Sequence, residues 1–430
     1  AVCHQLAIGE REYHREHRLA LAAVTSLLWE RRHDDEYQDG APPEPAHSAT
    51  AGRTAAPDAG AVHLGQFPRW LTSFVGRQRE AAKVQELLGS VRFLTLTGAP
   101  GTGKTRLAGE VAPRMAGRFD HGIAFVPLSP VRDPTMVAST LVKVLGLKET
   151  PGRPPLSVLT AYLRDRHFLL VLDNFEHVIE AAPLVVELLT DCPRLTVLVT
   201  SRSPLRVSGE HEYQVLPLRL PDPDRRQTLE TIMECEAVRL FVDRARAVRH
   251  DFSLTDENAA AVAEICRRLD GLPLAIELAA PRVKLLSPPA LLARLDYRLS
   301  LLTRGARDLP ARHQTMRGAI AWSYELLADA EQRLFRNLGV FVDGCTLASV
   351  SALSADAGDS STSLVDALTS LVENSLVQQQ ATANGEPRFR LLETLREYAL
   401  EELALRGKAE AAHLRHGEYH LNLAEAAGLD

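Results

Sequence analysis

The chain has 430 residues, 45% of them hydrophobic and 24% charged, an ordinary globular composition with apolar mass for about two to four separate cores. Its formal net charge is −6, from 49 Lys and Arg against 55 Asp and Glu, which argues against a chain whose main task is wrapping a phosphate backbone. The longest N-terminal apolar run, residues 19–29, is bounded by Arg18 and Glu30; a spanning helix needs about 20 apolar residues, so neither a membrane span nor a secretory signal is expected. The five cysteines, Cys3, Cys192, Cys235, Cys266 and Cys345, lie far apart, without the close pairing of zinc sites or small disulfide frameworks. They are expected as buried thiols in a reducing cytoplasm.

Residues 11–37 place Tyr13, Leu19, Leu21, Leu27, Leu28 and Trp29 at roughly helical spacing among Arg and Glu, which predicts helix. From about 40 to 66 the sequence is Pro, Ala, Gly, Ser and Thr with almost no large apolar side chain. Such a segment cannot bury a core and is expected to be a disordered linker. Ordered sequence resumes at Phe67. Apolar runs at 91–97, 123–128, 168–172, 195–200 and 213–218 then alternate with stretches that are mostly long enough for crossover helices, the pattern of a parallel sheet covered on both faces. After Pro221 the strand signal stops, and helices are predicted over 228–246 and 257–269 among others. A third region, about 310 to 405, carries helices followed by two strands, 375–380 and 388–392, joined through Asn384-Gly385, a dipeptide suited to tight turns. Helices plus a hairpin point to a winged helix. The alanine-rich tail from Gly407 reads as one more helix. Because the chain begins at Ala1 and ends without an obvious cap, a longer natural protein is expected.

The strongest motif is Gly98-Ala99-Pro100-Gly101-Thr102-Gly103-Lys104-Thr105, after an apolar strand and before a helix that Arg106 continues. It fits G-x-x-x-x-G-K-[ST]. Glycines let successive backbone N–H groups turn inward around phosphate oxygens, and the helix N-terminus adds partial positive charge. Lys104 is therefore expected on the β- and γ-phosphates of a nucleotide and the Thr105 hydroxyl on Mg²⁺. Only six of the 49 basic residues are lysine, so a lysine at this position stands out. Downstream, five apolar residues from Phe168 lead to Asp173, which reads either as the carboxylate that holds the metal or as the N-cap of the next helix; paired with the glycine loop, the metal role is favoured. Glu176 would polarise an attacking water, or else lie in a first helical turn where acids are favourable. The strand at 195–200 ends in Thr200-Ser201-Arg202, setting Arg202 at the same sheet edge as a γ-phosphate sensor or, alternatively, in a surface ion pair.

In this order, these motifs resemble the STAND class of signal-transduction ATPases, in particular the NB-ARC-like ATPase of bacterial transcriptional regulators of the antibiotic-regulatory and LuxR-associated types. The resemblance covers about 67 to 402. Phe74-Val75-Gly76-Arg77 with Glu80 resembles the segment that lies against adenine and ribose. Asp173 to His177 resembles the Walker B region, Thr200 to Arg202 the sensor arginine, and Gly271-Leu272-Pro273-Leu274 the lid motif whose Pro273 packs on adenine. Ala321 to Tyr324 and Leu391 to Tyr398 resemble stretches of the family's winged helix, although Trp322 and Tyr324 also read as core aromatics. The chain departs from related patterns at two sites: Asn174 stands where many AAA-type ATPases have Glu, and Leu391, Leu392 and Glu393 stand where eukaryotic relatives carry Met-His-Asp.

The resemblance implies an α/β P-loop NTPase, an AAA-like parallel sheet with helices on both faces, followed by a helical lid and a winged-helix domain. The expected division is a helical remnant at 1–39, the linker at 40–66, a nucleotide-binding domain at 67–221, a lid at 222–305, a winged helix at 306–405 and the start of a TPR-like helical repeat at 406–430. It implies an ATP/ADP switch with Mg²⁺ and slow hydrolysis, acting on flanking domains of the same protein and capable of nucleotide-dependent self-association. A non-hydrolysing scaffold and a fast motor-type ATPase are the alternatives; Asn174 counts against the motor. Residues 309–400 carry 7 Arg and no Lys against 11 acids, so direct DNA binding by this region is not expected and a DNA-reading element is expected elsewhere.

Overall fold

Burial on both faces turns the apolar runs into strands of one sheet. In the computed structural model, which describes residues 67–426 apart from 69, 149–151, 223–227, 296–297, 304, 306–313, 343, 355–360 and 382–385, these strands are β1 (Phe93–Thr97), β2 (Ile123–Pro127), β3 (Phe168–Asp173), β4 (Leu195–Thr200) and β5 (His211–Gln214). All pair in parallel in the order β2-β3-β4-β1-β5. Along β3, Leu169 and Val171 meet Leu107 and Val111 of α2 (Lys104–Arg114) and Val84 of α1 (Gln78–Leu88). The alternate residues Phe168, Leu170 and Leu172 meet α3 (Val137–Val144), α4 (Pro155–Leu163) and α5 (Ala182–Asp191) on the other face. A strand buried on both sides has no polar alternation to show, hence its continuous apolar run. The helix predicted over 11–37, the linker at 40–66 and the Asn384-Gly385 turn lie outside the described residues.

Two sequence expectations shift. The last strand was expected at 213–218, but the ladder uses His211–Gln214, and only Val215 continues it with a bond from its N–H to Thr97 O at 2.7 Å. Leu218 leaves the sheet because it belongs to a second core, where its N–H donates to Gly271 O at 2.9 Å. The helix expected over 228–246 is two helices, α6 (Leu229–Met233) and α7 (Glu236–Val248), separated at Cys235, which is extended. There the Arg219 carbonyl accepts from Ala237 N–H and the Glu236 carboxylate from Arg77 N–H, so tertiary partners fix the start of α7.

The second core joins the helices α8 (Asp256–Arg268), α9 (Pro273–Ala279), α10 (Pro288–Leu292) and α11 (Arg298–Leu301) to α12 (Met316–Glu325), α13 (Asp329–Leu338), α14 (Leu347–Ser354), α15 (Ser361–Glu373) and α16 (Glu393–Leu405). The hairpin β6 (Gln378–Gln380) and β7 (Arg388–Arg390) is antiparallel, with Gln379 opposite Phe389, and α17 (Ala409–Ala426) follows. One continuous apolar cluster runs from Ile232 through Phe335 and Leu395 to Ala412.

Polar groups lock the same junction. The first turn of a helix leaves backbone N–H groups without intrahelical acceptors. At α16 these are taken across the chain: Asp270 accepts from Glu393 N–H and Thr394 N–H, both at 3.0 Å, and from Thr394 Oγ1 at 3.1 Å. Glu397 on α16 returns the contact, accepting from the N–H groups of Arg298 and Leu299 at the start of α11 at 3.1 Å. Burial raises the Asp270 carboxyl above the ordinary carboxylate range, against the hydrogen bonds that favour its charged form. Asp270→Ala should lower unfolding free energy by about 2 kcal/mol, combining a lost cap with stranded buried donors. Asp270→Asn, which keeps an acceptor and tolerates the local φ of 55°, should lose less; urea unfolding of both variants tests this.

Candidate functional site

Between β1 and α2 the chain turns through Gly98, Gly101 and Gly103, whose φ values of 149°, 78° and 88° fall in the region that favours glycine. A Cβ on Gly98 would stand 2.5 Å from Val215 O, so the neighbouring strand leaves no room for a side chain. On Gly101 it would stand 3.1 Å from Leu274 Cβ, pressing the loop against α9. Thr102 is buried and its Oγ1 donates to Ala99 O at 2.9 Å, closing the loop on itself. Lys104 begins α2 and curls back, its Nζ donating to Gly98 O at 2.6 Å and Ala99 O at 3.2 Å. Burial lowers its ammonium to about 8; Glu176 and Asp173 oppose that shift, while Arg202 and Arg77 add to it.

Insertion of β4 between β1 and β3 brings three strand ends together. Thr200 at the end of β4 donates to Asp173 Oδ1 at 2.6 Å and accepts from Asn174 N–H at 3.0 Å, fixing the carboxylate at the end of β3 beside the glycine loop. Asn174 takes a left-handed conformation, φ 62°, and the turn carries Glu176 inward. Glu176 is not an exposed first-turn acid: its Oε1 lies 3.2 Å from Arg202 Nε, with the Arg202 side chain 6% and the Glu176 side chain 5% exposed. Arg202 thus makes an ion pair, but a buried one. Its Cζ also stands 3.8 Å from the ring centroid of Trp322 on α12.

The opposite wall comes from the segment before α1. Gly76 and Arg77 both have positive φ, 75° and 61°. The Arg77 guanidinium is buried and donates to Thr102 O and Leu216 O, each at 2.7 Å, tying this segment to the glycine loop and to the chain leaving β5. Arg244 of α7 donates to Ser73 O at 2.9 Å and to Glu277 Oε1 of α9 at 2.9 Å, so the helical region holds the segment from the far side.

These elements enclose a cavity of about 540 Å³, within the range of small-molecule sites. Its wall includes Val75, Arg77, Pro100, Gly101, Thr102, Gly103, Lys104, Thr105, Arg106, Glu176, Arg202 and Pro273. Gly76, Gly98 and Asp173 of the sequence-derived set contribute no wall surface and act on the wall through their neighbours. Trp70, Leu240, Arg244, Glu277 and Trp322 also line it. None of these stands in a phosphate motif, so sequence pattern does not single them out as site residues; Trp322 resembles part of the family's winged helix and reads from sequence as a core aromatic.

Family comparison fits this arrangement. An NB-ARC domain matches residues 77–220 and a winged helix-turn-helix domain residues 327–404. An uncharacterized protein of Mycobacterium tuberculosis is 38% identical over 360 residues, covering 82% of this chain and 86% of its own length. The chain belongs to the NB-ARC-like P-loop family. Two longer relatives carry regulatory names: a putative HTH-type transcriptional regulator of Mycobacterium tuberculosis, 44% identical over 342 residues, and the regulatory protein AfsR of Streptomyces coelicolor, 26% identical over 385. This NB-ARC-like chain covers 79% and 83% of itself in those matches and only 37% and 35% of the relatives, so it spans little more than a third of their length. Among the described residues no helix is long and apolar enough to cross a membrane, and Cys192, Cys235, Cys266 and Cys345 are buried free thiols.

The NB-ARC-like cleft is electrostatically testable. Below about pH 8 Lys104 carries its charge and above it the charge is lost, whereas an ordinary lysine titrates near 10.5. Competitive acetylation across pH should give Lys104 that lower midpoint. Glu176→Gln removes a charge that favours the ammonium and should move the midpoint lower still.

Proposed function

We propose that this chain is a nucleotide-dependent regulatory switch that binds ATP and ADP with Mg²⁺ between the sheet and the helical lid and hydrolyses ATP slowly. The observation that carries this reading is the loop from Gly98 to Lys104, with three glycines at positive φ, opening at the start of an 11-residue helix into the 540 Å³ cavity. Phosphate oxygens would replace the carbonyls of Gly98 and Ala99 that Lys104 now holds. Val75 and Pro273, which line the same cavity, offer apolar contact for a base.

The donor set fits Mg²⁺: a hydroxyl on Thr105 in the first turn of α2 and the Asp173 carboxylate, oriented by Thr200. Thr105 would hold the ion directly and Asp173, set behind the wall, would hold it through its water shell; the ion when bound offsets phosphate charge. Arg202 would sense the γ-phosphate. Glu176 would polarise the attacking water, yet its Oε1 is committed to Arg202, and Asn174 supplies no second carboxylate. Slow turnover follows from that pairing, which also tells against a fast motor. The working divisions are the nucleotide-binding domain at 67–221, the lid at 222–305 and the winged helix at 306–405, with flanking domains and self-association passing on the nucleotide state in the cytoplasm.

Lys104→Ala should weaken nucleotide binding by about 100-fold or more, because phosphate charge loses its buried partner. Wild-type phosphate release should stay below ~1 per second, as in switch enzymes lacking an activator. Release at many per second would overturn the switch, and nucleotide binding with no Lys104-dependent release would leave a nucleotide-bound scaffold. The 7 Arg and 11 acids at 309–400 give the winged helix an intramolecular role. In low salt, labelled duplex DNA should show no tight, salt-sensitive anisotropy change with this chain.

A further inference from the structure

The aromatic on α12 sits where two sides of the molecule meet. Arg202 reaches from the end of β4 and is held in two directions at once. Glu176 Oε1 faces its Nε at 3.2 Å, and the Trp322 ring covers its guanidinium with 3.8 Å between Cζ and the ring centroid. An arginine over indole is attracted by the ring's quadrupole, more strongly where water is excluded. The indole is itself seated: the His177 ring lies 5.7 Å away, and His177 Nε2 is 2.9 Å from Leu128 O at the sheet edge.

The loop bearing Arg202 is also gripped from the winged-helix side. Ser375 Oγ donates to Arg202 O at 2.9 Å, and Glu373 at the end of α15 pairs with Arg206. Helix α12 packs on α9, which carries Pro273, and on α16. The Arg202 loop thus meets the winged-helix side through its backbone and α12 through its side chain. Meanwhile Glu176 Oε2 is buried without a hydrogen-bond partner among the described residues, so the carboxylate is only half engaged there.

Resting on the nucleotide reading above, we propose that Trp322 is a positioning residue: with Glu176 it clamps Arg202, and a nucleoside triphosphate is distinguished from a diphosphate by drawing Arg202 off the indole. A terminal phosphate offers arginine charge-assisted, paired hydrogen bonds that ADP lacks at that position. A ligand shifts such an equilibrium only through its different affinity for the two states. Release of Arg202 frees α12 from the sheet edge and uncovers the Glu176 carboxylate in the same event, so triphosphate recognition, domain release and readiness for water activation share one trigger.

The test is the ratio of affinities for ATPγS and ADP, measured by equilibrium titration on the full chain. Trp322→Leu keeps apolar volume but removes the π face, and should raise the preference for ATPγS by about fivefold. Trp322→Phe should stay within about twofold of wild type. Glu176→Gln, which loosens the other jaw without changing the aromatic packing, should shift the ratio in the same direction. In an Arg202→Ala background the gain from Trp322→Leu should vanish. An unchanged ratio in either Trp322→Leu or Glu176→Gln, or a gain that persists without Arg202, overturns the clamp alone. Failure of wild type to bind either nucleotide overturns the nucleotide reading and the clamp with it.

Discussion

Positive charge buried around one cavity is the constraint on which the rest of the structure depends. Lys104, Arg77 and Arg202 all face the space between sheet and lid, and buried cations persist only when they are paired. Each has a partner drawn from the protein: Lys104 holds carbonyls of its own loop, Arg77 holds the carbonyls of Thr102 and Leu216, and Arg202 holds Glu176. Two of these partnerships are architectural in different degrees. Arg77 ties three segments that must stay together for the cavity to exist, whereas Lys104 rests only on carbonyls of its own loop.

The helical half answers to the same site. Its core is continuous from Ile232 to Ala412, and the carboxylate caps of Asp270 on α16 and Glu397 on α11 join its two ends in both directions. Asp270 immediately precedes Gly271, where a Cβ would stand 2.4 Å from Leu218 O. That glycine lets the chain pass against the segment leaving the sheet and then present Pro273 to the cavity. A single turn thus connects the last strand, the lid and the winged helix. After Leu391 and Leu392, the first N–H groups of α16, those of Glu393 and Thr394, meet Asp270.

Much of the fold was legible because its signals are local. Phe168 to Leu172 form an uninterrupted apolar run because both faces of β3 are buried, and three glycines followed by lysine and threonine at the head of a helix are needed wherever backbone N–H groups surround an anion. Boundaries were less legible. The expected 228–246 helix divides at Cys235 because Arg219 and Arg77, both outside it, engage its second half, and the last strand gives up Leu218 to a core that forms only with the lid.

By itself the sequence determined that strands alternate with helices, that a glycine loop leads into Lys104 at the head of a helix, and that Asp173 ends one strand while Arg202 follows another. Those facts follow from side-chain period and from backbone conformations that only certain residues adopt. The tertiary structure alone decided which of these groups meet. Sheet order placed Thr200 between Asp173 and Asn174, and domain packing laid Trp322, an aromatic from 120 residues downstream, over the face of Arg202. No local pattern encodes such a pairing, because the attraction between a guanidinium and a ring depends on distance in space and on the exclusion of water.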